Sequence, residues 1–390
     1  MQNKKCKICK GNFFNNNSIN FKKVPSSAQN FPEKNNLKND RGINLNIFQC
    51  SKCGAVQAIN KPVSYYKQVI RSSAFSKEMI KFRTLQFRKI INKYNLKGKK
   101  IIEIGTGQGE YLSILDKFQV KASGLEFSKK SVITLKNKKL NVQQGYIDKI
   151  KYNLKNTPFD AFCIFSYLEH LPNINIVLRA VHKNLKNDAI GIIEVPNFNL
   201  IIKKKLFSEF IRDHLFYFTK ESLSKICLIN GFDIVDISIV WHDYIISAIV
   251  KKIDRNKKIK LQKIMPLNLN QLTLKKNVIK MQIDNHLKKF KGKKIIAWGA
   301  GHQALTLISL TNLSKKISFI VDSATFKQNK YSPSSHIPII SPSQLHQLNF
   351  DLVIVLAASY SDEVIRILLK NYKSSFSICA YKENKLITIR

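Results

Sequence analysis

The stretch KKIIEIGTGQGEYLSIL, from Lys99 to Leu115, carries the strongest structural signal in this chain. Ile101–Ile104 predicts a short buried strand, and the residues after position 109 predict the start of a helix. Between the two lie glycines at alternate positions, Gly105, Gly107 and Gly109. Glycines let a ligand approach the backbone, and a helix start offers free N–H groups. The stretch therefore predicts a nucleotide-binding turn.

Two acidic residues near the turn indicate the charge and the chemical groups of the expected ligand. Glu103 lies in the strand just before the turn, where a carboxylate repels phosphate but suits a cationic ligand. Glu126 follows about 20 residues later, at the end of a second predicted strand, where an acid can bind ribose hydroxyls. The G-x-G-x-G spacing differs from that of dinucleotide folds and resembles the S-adenosyl-L-methionine (SAM) site of class I methyltransferases. The alternative is a purely structural turn. The predicted cofactor residues are Glu103, Gly105, Gly107, Gly109, Glu126 and Ser166.

Length and composition limit the class of protein. With 390 residues, of which 44% are hydrophobic, the chain can form two or three domains that each bury a core. It has no apolar run of about 18 residues, so we expect no membrane span. The first residues lack the apolar segment of a signal peptide, and we expect a cytoplasmic protein.

The formal net charge is +41. Lysines are spread along the whole chain, and asparagine and isoleucine are abundant too, which favours compositional bias as the cause. The alternative is attraction to anions such as nucleic acid, nucleotide sugars or acidic lipid.

Four of the seven cysteines form two C-x-x-C pairs. Four thiolates can bind one tetrahedral zinc ion, and a full set leaves no position open for catalysis, so we predict structural zinc. Disulfides are the alternative, which a cytoplasmic location disfavours. We expect the asparagine-rich segment between the pairs to loop out. The predicted zinc ligands are Cys6, Cys9, Cys50 and Cys53.

Strand and helix patterns alternate between residues 99 and 250. The predicted strands are Ile101–Ile104, Ala122–Phe127, Asn141–Gln144, Phe159–Phe165 and Ala189–Val195. The predicted helices are Gly109–Phe118, Ser128–Lys138 and Asn173–Leu185. Phe232–Trp241 and Asp243–Val250 are expected to close the sheet as an antiparallel pair. This alternation predicts an α/β fold with a doubly wound, Rossmann-like sheet, preceded by a linking helix within residues 71–95 that Ser76 could cap.

A second glycine signal lies in KKIIAWGAGHQAL, residues 293–305. Gly299-x-Gly301-x-x-Ala304, with Asp322 after the next strand, is the dinucleotide fingerprint with alanine in the third place. We predict a second, smaller Rossmann-like domain. The predicted division of the chain is a zinc module at residues 1–70, a methyltransferase domain at 71–252, a solvated helical linker at 253–291 and a C-terminal domain at 292–390.

The combination resembles, over essentially its full length, the sugar C-methyltransferases that act on nucleotide-linked 4-keto deoxysugars. DHLFYFTKESLSKICLINGFDIVDI, residues 213–237, is similar to the family motif E-H-x-x-Y-F-S and the helix after it. VDSATFKQNKYSPSSHIPIISP, residues 321–342, is similar to V-D-x-x-x-x-K-Q-G-x-Y-x-P-G-x-x-I-P-I. Val195–Asn197 matches the end of the family's fifth strand. The resemblance implies SAM-dependent methylation of a carbon atom in a nucleotide-linked keto-deoxysugar or a related small acceptor.

The same resemblance implies catalytic roles for His214 and Asp213. His214 matches the family's active-site histidine, and its unperturbed pKa suits a base that removes a hydrogen next to a keto group. Asp213 stands in place of the family's glutamate, and Ile211 in place of its tyrosine. The sequence LEH, with His170, follows another predicted strand and provides the next candidate base.

The C-terminal glycine loop departs from the family as well. Where the family usually has Lys-Gly, this chain has His302-Gln303. The resemblance implies that Gly299, Gly301 and His302 contact the nucleotide part of the acceptor.

Three other functions stay open. One is an O- or N-methyltransferase for another small acceptor, and another is an RNA methyltransferase, suggested by the zinc module and the charge. No catalytic cysteine for base methylation, N/D-P-P-Y-type motif or clustered basic stripe supports nucleic acid as a partner. The third is an assembly protein with a vestigial SAM pocket, which the intact glycines and acids disfavour. We expect a monomer or a homodimer.

Overall fold

The computed structural model describes residues 5–68, 76–254, 263–372 and 376–390. Its strands are β1 Phe13–Val24, β2 Ile43–Cys50, β3 Val56–Ala58, β4 Lys100–Ile104, β5 Lys121–Glu126, β6 Val142–Gln144, β7 Phe159–Phe165, β8 Leu185–Pro196, β9 Phe216–Tyr217, β10 Phe232–Val240, β11 Ile245–Lys252, β12 Ile295–Trp298, β13 Ile317–Val321, β14 Ile339–Ile340, β15 Leu352–Val355, β16 Ser377–Lys382 and β17 Lys385–Thr388. Its α-helices are α1 Lys77–Lys93, α2 Leu112–Leu115, α3 Lys129–Asn137, α4 Ile174–Lys183, α5 Phe198–Lys203, α6 Lys220–Ile229, α7 Asn270–His286, α8 His302–Leu310 and α9 Ser361–Asn371.

The central sheet has the strand order β10-β11-β8-β7-β4-β5-β6. Strands β4 to β8 pair in parallel, whereas β11 pairs antiparallel with both β8 and β10. Because β4 lies between β5 and β7, the direction of winding reverses at β4, and ligands bind at the carboxyl ends of strands at such a point. The predicted doubly wound sheet with an antiparallel closing pair is confirmed.

The turn after β4 is longer, and the helix after it shorter, than predicted. Gly105, Gly107 and Gly109 have positive φ angles of 75°, 61° and 78°. Helical backbone has negative φ, so the helix that we predicted from residue 109 begins only at Leu112. We call residues 105–109 the glycine turn.

The N-terminal module (residues 5–68) contributes three strands to a sheet of order β1-β2-β3-β9. The asparagine-rich segment that we expected to loop out forms β1 and pairs antiparallel with β2. Ile19 and Phe21 are fully buried, whereas Asn20 and Lys22 between and beside them are exposed. The expectation was wrong because this alternation builds a half-buried strand even where asparagine is abundant.

The fourth strand of that sheet comes from the middle of the chain. β9 pairs antiparallel with β3, with Val56 opposite Tyr217 and Gln57 opposite Phe216. This pairing holds the segment after His214 against the N-terminal module. The proposed boundary between residues 70 and 71 lies outside the described residues, and the division into domains stays a prediction.

The C-terminal sheet has the order β14-β13-β12-β15-β16-β17, in which only β17 is antiparallel. The turn between β12 and α8 requires glycine at position 299. Its φ is 117°, and a Cβ there would lie 2.9 Å from the carbonyl oxygen of Leu356. This second α/β unit follows the first in the predicted order.

The segment that we predicted as a solvated linker is partly core. In α7, Leu272, Ile279 and Ile283 are buried in a cluster that includes residues of β1 and α8, and the helix also contacts β17. α7 therefore joins the N-terminal and C-terminal sheets. In the described ranges, no helix has both the length and the apolar character needed to cross a bilayer.

A buried ion pair fastens α1 to the central sheet. Arg83 Nη2 lies 2.7 Å from Glu194 Oε2 on β8, and each side chain is 1% exposed. Gln86 and Ser247 also donate to this carboxylate, at 2.5 and 2.9 Å. The guanidinium stacks on two rings, 4.3 Å from the centroid of Tyr111 and 4.1 Å from that of Phe165. No local sequence pattern indicates this pair, because its two residues lie 111 positions apart.

We expect Glu194→Gln to destabilise the protein by about 3–5 kcal/mol, because it leaves a buried guanidinium without its counter-charge. Chemical denaturation followed by circular dichroism measures the change. The control is Glu78→Gln, also on α1, which removes an ion pair to His242 that is exposed on both sides and should cost less than about 1 kcal/mol. Equal stability of the two variants would contradict the prediction.

Candidate active site

The glycine turn and the end of β5 form one half of the site. The carboxylate of Glu126 is 1% exposed and accepts hydrogen bonds from the backbone N–H groups of Gly107 and Ser128, each at 2.8 Å. A Cβ on Gly109 would clash with Leu135. Each carboxylate oxygen has a second lone pair, so Glu126 can accept further hydrogen bonds from a bound ribose. Position 109 of the turn therefore favours glycine, the residue without a side chain.

The other predicted cofactor residues lie at the same sheet edge. Glu103 is 1% exposed in β4, and only Ile104 separates it from the turn. Ser166 follows β7 with a φ of 47°, and its N–H donates to the carbonyl of Glu194 at 2.9 Å. The structure brings all six residues to the carboxyl ends of β4, β5 and β7. The two buried carboxylates beside the glycine turn fit a ligand that carries a ribose and a positive charge.

An aromatic cleft adjoins Glu126. Its lining includes Leu125, Phe127 and Ile147, whose apolar surfaces suit a purine ring. Lys67 Nζ lies 5.2 Å from the ring centroid of Tyr146 and 5.4 Å from that of Phe127. The N-terminal module therefore forms part of the cleft wall. No local sequence pattern indicates this contact, because Lys67 is remote from β5 in the chain.

The imidazole rings of two histidines, His170 and His214, are in contact with each other. The ring centroids of His170 and His214 are 4.8 Å apart. His170 Nδ1 lies 2.9 Å from the backbone carbonyl of Asp213; a carbonyl only accepts, so Nδ1 carries the proton. Burial lowers the pKa of His214 well below its ordinary value, and the charges of His170 and His302 lower it further. His214 is therefore uncharged, and able to accept a proton, at neutral pH.

Asp213 does not face the site as a free carboxylate. It is 5% exposed, and its Oδ1 accepts from Tyr65 Oη at 2.5 Å while its Oδ2 accepts from the backbone N–H of Ala28 at 3.2 Å. Burial and the Asp213 charge raise the pKa of Tyr65, so the phenol keeps its proton. Both partners belong to the N-terminal module. Tyr65 is a site residue that our reading of the sequence missed.

The four predicted zinc ligands converge. The Sγ atoms of Cys6 and Cys53 are 3.6 Å apart, and those of Cys9 and Cys50 are 3.5 Å apart. None forms a disulfide. Tetrahedral zinc with Zn–S bonds of about 2.3 Å would place the sulfurs about 3.8 Å apart, so the thiols fit this metal. Backbone N–H groups and the amide of Gln57 donate to the sulfurs.

The C-terminal glycine loop lies against the central unit. Asp322, at the end of β13, accepts from the N–H of Ala300 at 2.7 Å and pairs with Lys327 Nζ at 3.1 Å. His302 lies against Glu209 of the central unit. The first turn of α8 thus packs on the central unit at Glu209.

Comparison with known proteins gives two matches to protein families. Residues 77–237 match a methyltransferase domain, and residues 246–375 match a C-methyltransferase C-terminal domain. The C-methyltransferase NovU of Streptomyces niveus is 21% identical over 291 residues, which cover 69% of this chain and 68% of that protein.

Solved structures match the central part of the chain. A SAM-dependent methyltransferase from Aquifex aeolicus, 16% identical, is covered completely by 46% of this chain, with a TM-score of 0.36. One from Archaeoglobus fulgidus, 21% identical, is covered to 94% by 44% of this chain, with a TM-score of 0.34.

The carboxylate of Glu126, which accepts from two backbone N–H groups, is the residue on which we expect cofactor affinity to depend. We expect Glu126→Ala to weaken SAM binding by about 10–100-fold, equivalent to about 1–3 kcal/mol for lost hydrogen bonds to a charged acceptor. Titration calorimetry measures the change. Asp116→Ala, at an exposed acid after α2, is the control and should bind SAM normally. Unchanged affinity in Glu126→Ala would refute this assignment, as would tight NAD binding without SAM binding.

Proposed function

We propose that this chain, which belongs to the SAM-dependent C-methyltransferase family, methylates a carbon atom next to a keto group of a nucleotide-linked deoxysugar. The observation that carries the proposal is the pair of imidazoles, His170 and His214, whose ring centroids lie 4.8 Å apart. His170 follows β7, the strand that pairs with β4 and its glycine turn. Methylating carbon requires a base that removes a carbon-bound hydrogen, and a neutral, partly buried imidazole is such a base.

His214 is the proposed base. When the acceptor lies beside the glycine turn, His214 takes the proton from the carbon next to its carbonyl, and the bonding electrons form an enolate. SAM, when bound, would supply the methyl group: the enolate carbon would bond to the methyl carbon while the positively charged sulfur keeps the electron pair of the broken S–C bond. The lowered pKa of His214 keeps the base uncharged in the resting enzyme. His214 holds the proton until the product leaves.

His170, Asp213 and Tyr65 are proposed to position this base. The Nδ1–H bond from His170 to the Asp213 carbonyl fixes the His170 ring beside His214. The Asp213 carboxylate is held by Tyr65 and Ala28, so we assign it an orienting role rather than proton transfer. Glu103, Glu126, Ser166 and the glycine turn are the proposed SAM contacts.

Structural zinc is proposed for the N-terminal module. Thiolates are preferred zinc ligands, and four of them complete its coordination. A metal at Cys6, Cys9, Cys50 and Cys53 would stiffen the loop and strands that carry Ala28 and Tyr65 to the site. Its proposed role is therefore to hold the wall of the active site.

Purified full-length protein should contain about one zinc ion per chain, measured by atomic emission without chelator. Cys50→Ser should lose most of the metal, because three thiolates bind zinc more weakly than four. Ser51→Ala changes the neighbouring residue and should keep the metal. Metal-free wild-type protein would overturn the zinc assignment.

We expect His214→Gln to lower turnover by about 10²–10⁴-fold and to leave SAM affinity unchanged, because a general base contributes on this scale. His242→Gln, at an exposed histidine, is the control. In deuterated water the wild type should exchange the acidic carbon hydrogen of the acceptor, and His214→Gln should not. Labelled SAM with a panel of nucleotide ketosugars, tRNA and rRNA identifies the acceptor class.

The acid limb of kcat/KM should lie below pH 6.5. A base with a lowered pKa stays unprotonated to lower pH, so activity is lost only when the pH falls through that lowered value. Near-normal turnover of His214→Gln would place the base elsewhere, with His170 the next candidate. A new methyl group on oxygen or nitrogen would exclude the enolate mechanism.

A further inference from the structure

Three side chains that can bind a metal ion converge between the end of β7 and the start of β9. One ring nitrogen each of His170 and His214 and one carboxylate oxygen of Glu169 all lie within 4.8 Å of one another. Glu169 is 2% exposed, and both histidines are half-buried. In the part of the chain that the structure describes, the four cysteines form the other group of metal-binding side chains this close together.

Two hydrogen bonds hold together the segments that carry these side chains. The backbone N–H of Leu215 donates to the carbonyl of Glu169 at 2.8 Å. On the other side of His214, the carbonyl of Asp213 accepts from His170 Nδ1 at 2.9 Å. The segment around His214 is therefore tied at both ends to the residues that supply the other two ligands, and the group is assembled by the fold itself.

The hydrogen bond of His170 is also the one expected of a metal ligand. A histidine that binds a metal usually donates its other ring N–H to a carbonyl or a carboxylate, which fixes the orientation of the ring. Nδ1–H of His170 makes this bond to the Asp213 carbonyl, so Nε2 is the nitrogen that it offers to a metal. Each neutral imidazole provides one lone pair, and the carboxylate of Glu169 provides the third ligand.

The ligand set indicates the kind of ion. Two imidazoles and one carboxylate suit zinc and related divalent transition ions, and three protein ligands leave a further position open. Zinc bonds of about 2.0–2.1 Å to nitrogen and oxygen place tetrahedral ligands about 3.3 Å apart, a spacing that side-chain rotation can reach from the observed one. Three such ligands bind zinc more weakly than four thiolates, so we expect the site to fill only when zinc is added.

We propose that Glu169, His170 and His214 form a second metal site, which binds a divalent transition ion such as zinc and thereby switches methyl transfer off. The effect on turnover rests on the proposed function, whereas binding of the ion does not. An ion on His214 takes the lone pair that otherwise accepts the proton from the acceptor carbon. No enolate then forms, and the methyl group stays on SAM. Removal of the ion restores the base.

The first test counts the zinc that full-length protein holds at equilibrium with micromolar zinc, by dialysis and atomic emission. We expect wild type to hold about one more ion per chain than His214→Gln or Glu169→Gln, because losing a ligand weakens metal binding by about 10²-fold or more. Circular dichroism checks that both variants are folded. His242→Gln removes an exposed histidine that pairs with Glu78 and should hold as much zinc as wild type. Equal zinc in wild type and both site variants would overturn the metal site.

The second test adds zinc to wild type acting on a 4-keto nucleotide sugar. As the second site fills, methyl transfer and solvent hydrogen exchange at the acceptor carbon should both fall by about 10²-fold or more, the effect of losing a general base. A chelator that removes the added zinc should restore both rates. Unchanged or faster reaction with the site filled would overturn the switch. Wild type that binds the extra ion but neither exchanges nor methylates the ketosugar in its absence would instead refute the proposed function.

Discussion

The carboxylate of Asp213 is the contact on which the arrangement of the site depends. It accepts from Tyr65 and from the backbone of Ala28, two positions far away in the N-terminal module. The next residue is His214, and the carbonyl of Asp213 itself holds His170. One residue therefore sets the position of both imidazoles relative to the module. Because Asp213 is buried, loss of either partner would leave its charge poorly compensated.

The pairing of β3 with β9 extends this contact into a continuous sheet. The N-terminal module has too few apolar residues to form a large core alone, and its hairpin buries Ile19, Phe21 and Leu45 against residues of α7 and α8. The module is thus stabilised by the two α/β units that it joins. The same packing makes it a wall of the cleft beside Glu126 and places Tyr65 against Asp213.

The two glycine turns illustrate how one local motif serves different purposes. In each, an acid at the end of the following strand accepts from the turn backbone: Glu126 from Gly107, and Asp322 from Ala300. Glu126 lines an aromatic cleft, whereas Asp322 is paired with Lys327. The neighbouring charges differ: two buried acids, Glu103 and Glu126, lie at the first turn, whereas Lys327 pairs with the acid at the second.

The sequence by itself determined the central sheet, the glycine turn with its acids, the two cysteine pairs and the second α/β unit. Each of these depends on residues close together in the chain, where periodicity and turn chemistry act directly. Tertiary structure alone decided that Tyr65 and Lys67 lie at the site, and that Arg83 pairs with Glu194. These contacts join residues remote in sequence, and no local pattern reports them. The asparagine-rich hairpin and α7 were misjudged for the same reason: their polar composition suggested solvent, while the core that covers them comes from other parts of the chain.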